Sequence, residues 1–269
     1  MITYPQIDPV IFGLGPLQVR WYGLMYVLGF AAVYVLVAHQ IKKYRLKFIE
    51  EHYEDLNFAL IIGLIIGARL GYVAFYNTGY YLQHPGEIIA IWQGGMSFHG
   101  SLLGLIAAAW LFCRKNHIPF LPTADLYVVA IPIGLGLGRI GNFINGELFG
   151  RISDVPWSMV FPAGGPLPRH PSQLYEFLLE GVVIFVFLWS LKTVHYRRQW
   201  PGGTLFAAFL ISYGVLRSFV ELFREPDVQL GFLAGSLTMG QILSSLMILA
   251  GAAILFLNRQ KSRSATNHT

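Results

Sequence analysis

Two sets of polar residues in this chain have the types and spacing to handle an anion. Arg139, Asn142, Asn145 and Glu147 lie within a few turns of one another in the glycine-rich stretch Gly134–Gly150. Tyr213, Arg217, Glu221 and Arg224 fall at i, i+4, i+8 and i+11, one continuous helix face. Arg69, Tyr72 and Tyr76 share a face at i, i+3 and i+7. His99 stands in Gly94-Gly95-Met96-Ser97-Phe98-His99-Gly100, where a glycine-flexed segment enters a helix. A guanidinium presents a planar fork that fits phosphate or carboxylate. An imidazole beside it would serve as general base or phosphate partner.

The surroundings sharpen this reading. These residues interrupt strongly apolar runs, and a charged residue at membrane depth costs about 2.5–3.5 kcal/mol on insertion scales. Such residues are functional-site candidates by default. Each also has a plainer reading. Arg217–Glu221 fits a structural i,i+4 ion pair, and Arg20 and Arg224 can snorkel to the interface. Tyr22, Tyr72 and Tyr76 suit an interfacial aromatic belt. Arg69 reads better as a brace of the helix bundle than as a substrate contact, and Gly134 and Gly138 as close-packing glycines.

Composition places the whole chain in a membrane. Of its 269 residues, 55% are hydrophobic and 12% charged, with mean hydropathy +0.54; soluble domains carry about 25% charged residues. The single cysteine, Cys113, excludes a disulfide framework and a cysteine metal site. No ligand cluster suggests a metal, and neither a cofactor nor nucleic acid is expected. The N-terminus has neither a basic n-region nor a cleavage site, so no signal peptide is expected.

Seven apolar runs reach the length of a crossing, about 20 residues: roughly 19–41, 55–76, 98–113, 122–143, 174–194, 203–224 and 239–258. The expected fold is therefore an all-α integral membrane protein, one transmembrane domain over 1–269 with seven transmembrane helices. Twelve of the nineteen Lys and Arg follow runs one, three, five and seven. By the positive-inside rule the N-terminus is outside and the C-terminus inside. Small extracytoplasmic loops are expected, including a proline-rich one over 144–173, and 259–269 reads as a polar, disordered cytoplasmic tail.

The seven basic residues left over are Arg20, Arg69, Arg139, Arg151, Arg169, Arg217 and Arg224, with no lysine among them. That split suggests that these arginines hold an anion. With the expected orientation, Arg139, Arg217, Glu221, Arg224, Tyr22, His99, Glu176 and Glu180 all fall in the outer leaflet. The stretch around Arg139 and the Tyr213–Arg224 face are expected to form opposite walls, with His99 at the rim. Gly136-x-Gly138-x-x-Gly141 matches a dinucleotide fingerprint, but it lacks the βαβ surroundings that give that motif meaning.

Longer motifs now become informative. His99-Gly100, the run Gly138-Arg139-Ile140-Gly141-Asn142-Phe143-Ile144-Asn145-Gly146-Glu147, the run His170-Pro171-Ser172-Gln173-Leu174-Tyr175-Glu176, and Tyr213-Gly214 followed by Arg217, Glu221 and Arg224 resemble the bacterial phosphatidylglycerol–prolipoprotein diacylglyceryl transferase family. The resemblance runs from Trp21-Tyr22-Gly23 to Met239-Gly240-Gln241. Ser101 stands where the family commonly has glycine, and the 151–169 loop is rather short.

The resemblance implies an enzyme of the bacterial plasma (inner) membrane, with its active site facing the outer leaflet. It would move the diacylglyceryl group of phosphatidylglycerol to the lipobox cysteine of a prolipoprotein signal peptide and release glycerol phosphate. In that reading Arg139 and Arg217 clamp the phosphate, His99 takes the thiol proton, and Tyr213 donates to or positions the headgroup. Asn142, Asn145, Glu147 and Glu221 would orient the arginines, with Arg224 and Tyr22 lining the lipid site. Tyr213 remains an alternative proton acceptor if His99 binds phosphate. A membrane transporter for an anionic solute or lipid is the competing class. It would call for polar residues through the inner halves of the spans or an inverted repeat, and neither is seen. A seven-helix receptor is a third class, and it would not need an arginine layer open to lipid.

Overall fold

The computed structural model describes residues 2–14, 17–225 and 238–266. All seven apolar runs are helical. Helix α1 spans Trp21–Tyr44, α2 Lys47–Glu50, α3 Tyr53–Phe75, α4 Thr78–Gln83 and α5 Phe98–Lys115. Then come α6 Phe120–Val128, α7 Ile131–Ile144, α8 Ser172–Glu176, α9 Ile184–Arg198, α10 Thr204–Val220 and α11 Met239–Thr266. Among the described residues, four stretches are long and apolar enough to cross a membrane: Trp21–Tyr44, Tyr53–Phe75, Ser172–Arg198 and Met239–Gln260. Helices α6 and α7 make a fifth if their 46° bend is one broken span. Pro132 sits in the first turn of α7, where its missing N–H would be unpaired anyway.

Two features depart from the expectation. Strand β1 Val10–Leu14 pairs antiparallel with β2 Leu17–Arg20, which an all-α fold does not include. The polar C-terminal segment continues α11 as far as Thr266 instead of starting a disordered tail at Arg259. Most of the loop expected at 225–238 lies outside the described residues.

The chain forms two compact units, one of residues 38–123 and one of 1–37 with 124–269. In the first, α3 and α5 pack through glycines. A Cβ on Gly67 would lie 2.6 Å from Gly104 Cα, and one on Gly71 2.6 Å from Gly100 Cα. Gly63-x-x-x-Gly67-x-x-x-Gly71 thus faces Gly100-x-x-x-Gly104, and the backbones approach without intervening side chains. Arg69 is buried in this unit. Its Nε donates to Ile88 O (2.7 Å), Nη2 to Glu87 O (2.7 Å), and Nη1 to Gly94 O (2.6 Å) and Gly95 O (3.3 Å). The Tyr81 ring lies under its guanidinium at 5.0 Å. Arg69 therefore braces the segment leading to α5 and is not presented to a substrate.

In the second unit, α9 and α10 pack with the end of α6 around Val128, Val129, Ile184, Leu188, Leu205 and Phe209. Buried Asp125 caps α10 from 78 and 81 positions away: its carboxylate accepts from Gly203 N (2.6 Å) and Phe206 N (2.7 Å). These satisfy donors that a helix start leaves unpaired. The 145–171 loop is ordered. Tyr4, Met159 and Phe161 form a small core with Phe143 and Phe149. The Tyr4 hydroxyl donates to Phe143 O (2.7 Å) and Ile144 O (3.1 Å), closing the C-terminal end of α7, and burial pushes its phenol above the usual range.

Candidate active site

Helices α7 and α10 and the Ser172–Arg198 helix bring their charges to one cluster. That helix is α8, then a π-helical stretch Phe177–Val183, then α9. π-helical turns inside α-helices are rare and frequent at functional sites. Here the stretch carries Glu180 and directly follows Glu176, both 1% exposed. Glu176 holds two arginines from different helices: Arg139 Nε at 2.5 Å from Oε2 and Arg217 Nη1 at 2.9 Å from Oε1. Arg217 Nη2 also pairs with Glu221 Oε2 at 2.6 Å. Arg224 Nη1 stands 3.9 Å from Glu176.

Glu180 is held less closely. Its ion-pair contacts are longer, Arg217 Nη1 at 3.6 Å and Arg139 Nη2 at 3.9 Å, and Tyr213 is its hydrogen-bonding neighbour. Tyr213, on the face of α10 that carries Arg217, interacts electrostatically with Glu180, Arg139, Arg217 and Glu176. Arg139 has the most accessible side chain of the three arginines, 20% exposed against 10% for Arg217 and 11% for Arg224.

The cluster joins Arg139, Arg217, Glu221, Arg224 and Tyr213. Glu176 and Glu180 were absent from the residues expected to orient the arginines, yet they hold both. Their i,i+4 spacing at the end of the His170–Glu176 motif is the signal that could have found them. Asn142, Asn145 and Glu147 take a different part from the one expected. Asn142 Nδ2 (2.9 Å) and Asn145 Nδ2 (3.1 Å) both donate to Glu147 Oε1, forming their own group at the end of α7. Gln173 Nε2 donates to Glu147 O (2.6 Å) and Ser172 Oγ to Leu148 O (3.0 Å), so the two long motifs are stitched together. Gly146 (φ 68°) and Leu148 (φ 57°) turn the chain there.

Tyr22 packs over Gly141, where a Cβ would lie 2.8 Å from its ring, and its hydroxyl is 3.0 Å from that of Tyr26. Gly138 packs against nothing among the described residues, since a Cβ there would meet none of their atoms within 4 Å. His99 belongs to the 38–123 unit. It is exposed in the first turn of α5, whose start is capped by Ser97 accepting from Gly100 N at 3.2 Å.

The arginines left over after the topology count do not act as one layer. Arg69 binds carbonyls, as described. Arg151 Nε donates to Arg224 O (2.9 Å). Arg169 donates to Gly164 O (2.9 Å) and Gly150 O (3.2 Å) and pairs with Glu225 (3.0 Å). Arg20 reaches Gln18 at the surface (2.9 Å). Only Arg139, Arg217 and Arg224 enter the carboxylate cluster.

A chain of apolar helices with a buried arginine–glutamate cluster is a multi-helix membrane protein with an intramembrane polar site. The chain as a whole has close counterparts. Residues 9–257 match the family model described as prolipoprotein diacylglyceryl transferase. The protein named phosphatidylglycerol–prolipoprotein diacylglyceryl transferase from Desulfotalea psychrophila is 54% identical over 266 residues, covering 98% of both chains. Proteins of the same name from Geobacter sulfurreducens and Pseudomonas aeruginosa are 52% and 50% identical over 256 residues. Those alignments cover 95% of this chain and 97% and 95% of theirs. The chain belongs to the prolipoprotein diacylglyceryl transferase family.

Proposed function

We propose that this chain transfers the diacylglyceryl group of phosphatidylglycerol to the lipobox cysteine of a prolipoprotein. The observation that carries this is identity of 50–54% across nearly the whole chain with proteins of that name. A sulfur–carbon bond forms at the diacylglycerol C3 while its carbon–oxygen bond to phosphate breaks. The thiol loses its proton, and glycerol phosphate leaves with one more negative charge than the phosphodiester had.

Developing charge on a leaving phosphate needs fixed positive groups. Arg139 and Arg217 fill that role in this reading, with Arg139 the more accessible. Glu176 and Glu221 fix the forks of these arginines, so little reorganisation accompanies reaction. Tyr213 donates to the headgroup. Asn142 and Asn145, through Glu147, shape the end of α7 on which the headgroup rests, and Arg224 and Tyr22 complete the lipid site. His99 takes the proton of the thiol, since the thiolate is the nucleophile. No cofactor enters this scheme.

The chain crosses the bacterial plasma membrane seven times in this reading, N-terminus outside and C-terminus inside, and its site faces the outer leaflet. The concentration of Lys and Arg after alternate apolar runs supports that orientation. The lipobox cysteine, just after the precursor's signal helix, reaches the same face.

The test is donor specificity in reconstituted vesicles with a lipobox peptide. Phosphatidylglycerol should lipidate the peptide on cysteine and release one glycerol phosphate per peptide. Phosphatidylethanolamine should not replace it. Equal turnover of the zwitterionic lipid, or modification of a peptide lacking cysteine, would overturn the reading.

A further inference from the structure

The glycines inside the helices of this chain have neighbours that explain them. Gly63, Gly67, Gly71, Gly100 and Gly104 join α3 to α5, Gly136 meets Gly181, and Gly214 and Gly251 join α10 to α11. Gly138 is the exception. A Cβ built on it meets no atom of the described residues within 4 Å. Among the described α-helical glycines only Gly23 and Gly79 share this, and both sit in first turns.

The position is ordinary in every other respect. Gly138 lies mid-way along α7 and has no positive φ, so an alanine would fit its backbone. Glycine is the poorest residue after proline in a helix interior. Neither packing nor backbone geometry among the described residues accounts for it.

Its neighbours on the same face define the space. Positions 134, 138 and 141 share one side of α7. A Cβ on Gly29 of α1 would lie 3.1 Å from Gly134 Cα, and Tyr22 of α1 covers Gly141. Helix α1 therefore touches α7 on both sides of Gly138 and leaves room between. Arg139 is the next residue. Tyr26, whose hydroxyl is 3.0 Å from that of Tyr22, interacts electrostatically with Arg139 and Glu147. An arginine and a pair of phenol hydroxyls suit an anionic, hydroxyl-bearing group.

We propose that the space over Gly138 receives the phosphoglycerol head of the donor lipid, and that Gly138 is a positioning residue setting the size of what fits between α1 and α7. The inference rests on the function proposed above. Any side chain at 138 competes with the donor for this space and leaves the acceptor site untouched.

The test is a size series, Gly138→Ala, Gly138→Val and Gly138→Leu, with thermal stability and separate KM values for phosphatidylglycerol and lipobox peptide. Gly138→Ala should hold or raise Tm while raising the donor KM several-fold. Gly138→Leu should raise it by more than about tenfold at unchanged peptide KM. Three results would overturn the proposal: an unchanged donor KM in Gly138→Leu, a rise confined to the peptide KM, or a fall in Tm already in Gly138→Ala. The alanine variant carries the test if the larger ones do not fold. A wild-type protein without activity on phosphatidylglycerol would instead remove the proposed function itself.

Discussion

Arg139 of α7 and Arg217 of α10 share one carboxylate, Glu176, with one guanidinium on each oxygen at 2.5 and 2.9 Å. Three arginines and three glutamates meet in this cluster, so the fixed charge of the site is balanced. Positive charge in apolar surroundings is costly unless it is paired. The glutamates keep the arginines in place without substrate and hold their forks in one geometry.

Removing the shared carboxylate should therefore cost stability as well as turnover. Breaking one partner of a buried ion pair typically costs about 3–5 kcal/mol. Glu176→Gln is expected to lower Tm in detergent markedly and to abolish most activity. A variant with wild-type Tm would show that the bridge does not hold α7 to α10.

Arg69 should behave as a brace. Its three nitrogens bind carbonyls of Glu87, Ile88, Gly94 and Gly95, and lysine cannot reproduce that fork. Arg69→Lys is expected to speed proteolysis and amide exchange across 84–97. Unchanged protection of that segment would contradict the brace.

The glycine seam makes a steric prediction. A Cβ on Gly67 would lie 2.6 Å from Gly104 Cα, and overpacking costs about 1–3 kcal/mol. Gly67→Ala should lower Tm, although alanine is the better helix former. A gain in Tm would show that α3 and α5 are not in close backbone contact.

The sequence made some of this legible and hid the rest for physical reasons. Hydropathy located every long helix, because burial in lipid demands long apolar runs. The Arg217–Glu221 pair was legible because i,i+4 spacing puts both on one face. The i,i+4 spacing of Glu176 and Glu180 marks one polar face, but it does not say which arginines that face holds, because pairing between helices leaves no spacing signal. Asp125 capping Gly203 and Phe206 was hidden for the same reason. Sequence sets Arg69 apart as a brace, but only their partners separate Arg151, which donates to Arg224 O, and Arg169, which binds two carbonyls and Glu225, from Arg139 and Arg217. The pairing of Val10–Leu14 with Leu17–Arg20 is hidden because two short strands carry little signal beside long apolar runs. The Gly63-x-x-x-Gly67-x-x-x-Gly71 spacing is itself a readable signal of close helix packing.

His99 carries the proton-transfer step in the proposed chemistry. General base catalysis contributes about 10²–10⁴-fold, so His99→Gln should fall well below a tenth of wild-type kcat with Tm preserved. Retention of more than about a tenth of the rate would assign the proton to another group.

The central claim is that Arg139 clamps the phosphate of the donor lipid through its planar fork. The most direct measurement is transfer from labelled phosphatidylglycerol to a lipobox peptide by Arg139→Lys, which keeps the charge and removes the fork. Losing one fixed stabilising donor costs about 10²–10³-fold, and a loss of that order at preserved Tm is the expected result. Near-normal turnover by Arg139→Lys would contradict the clamp.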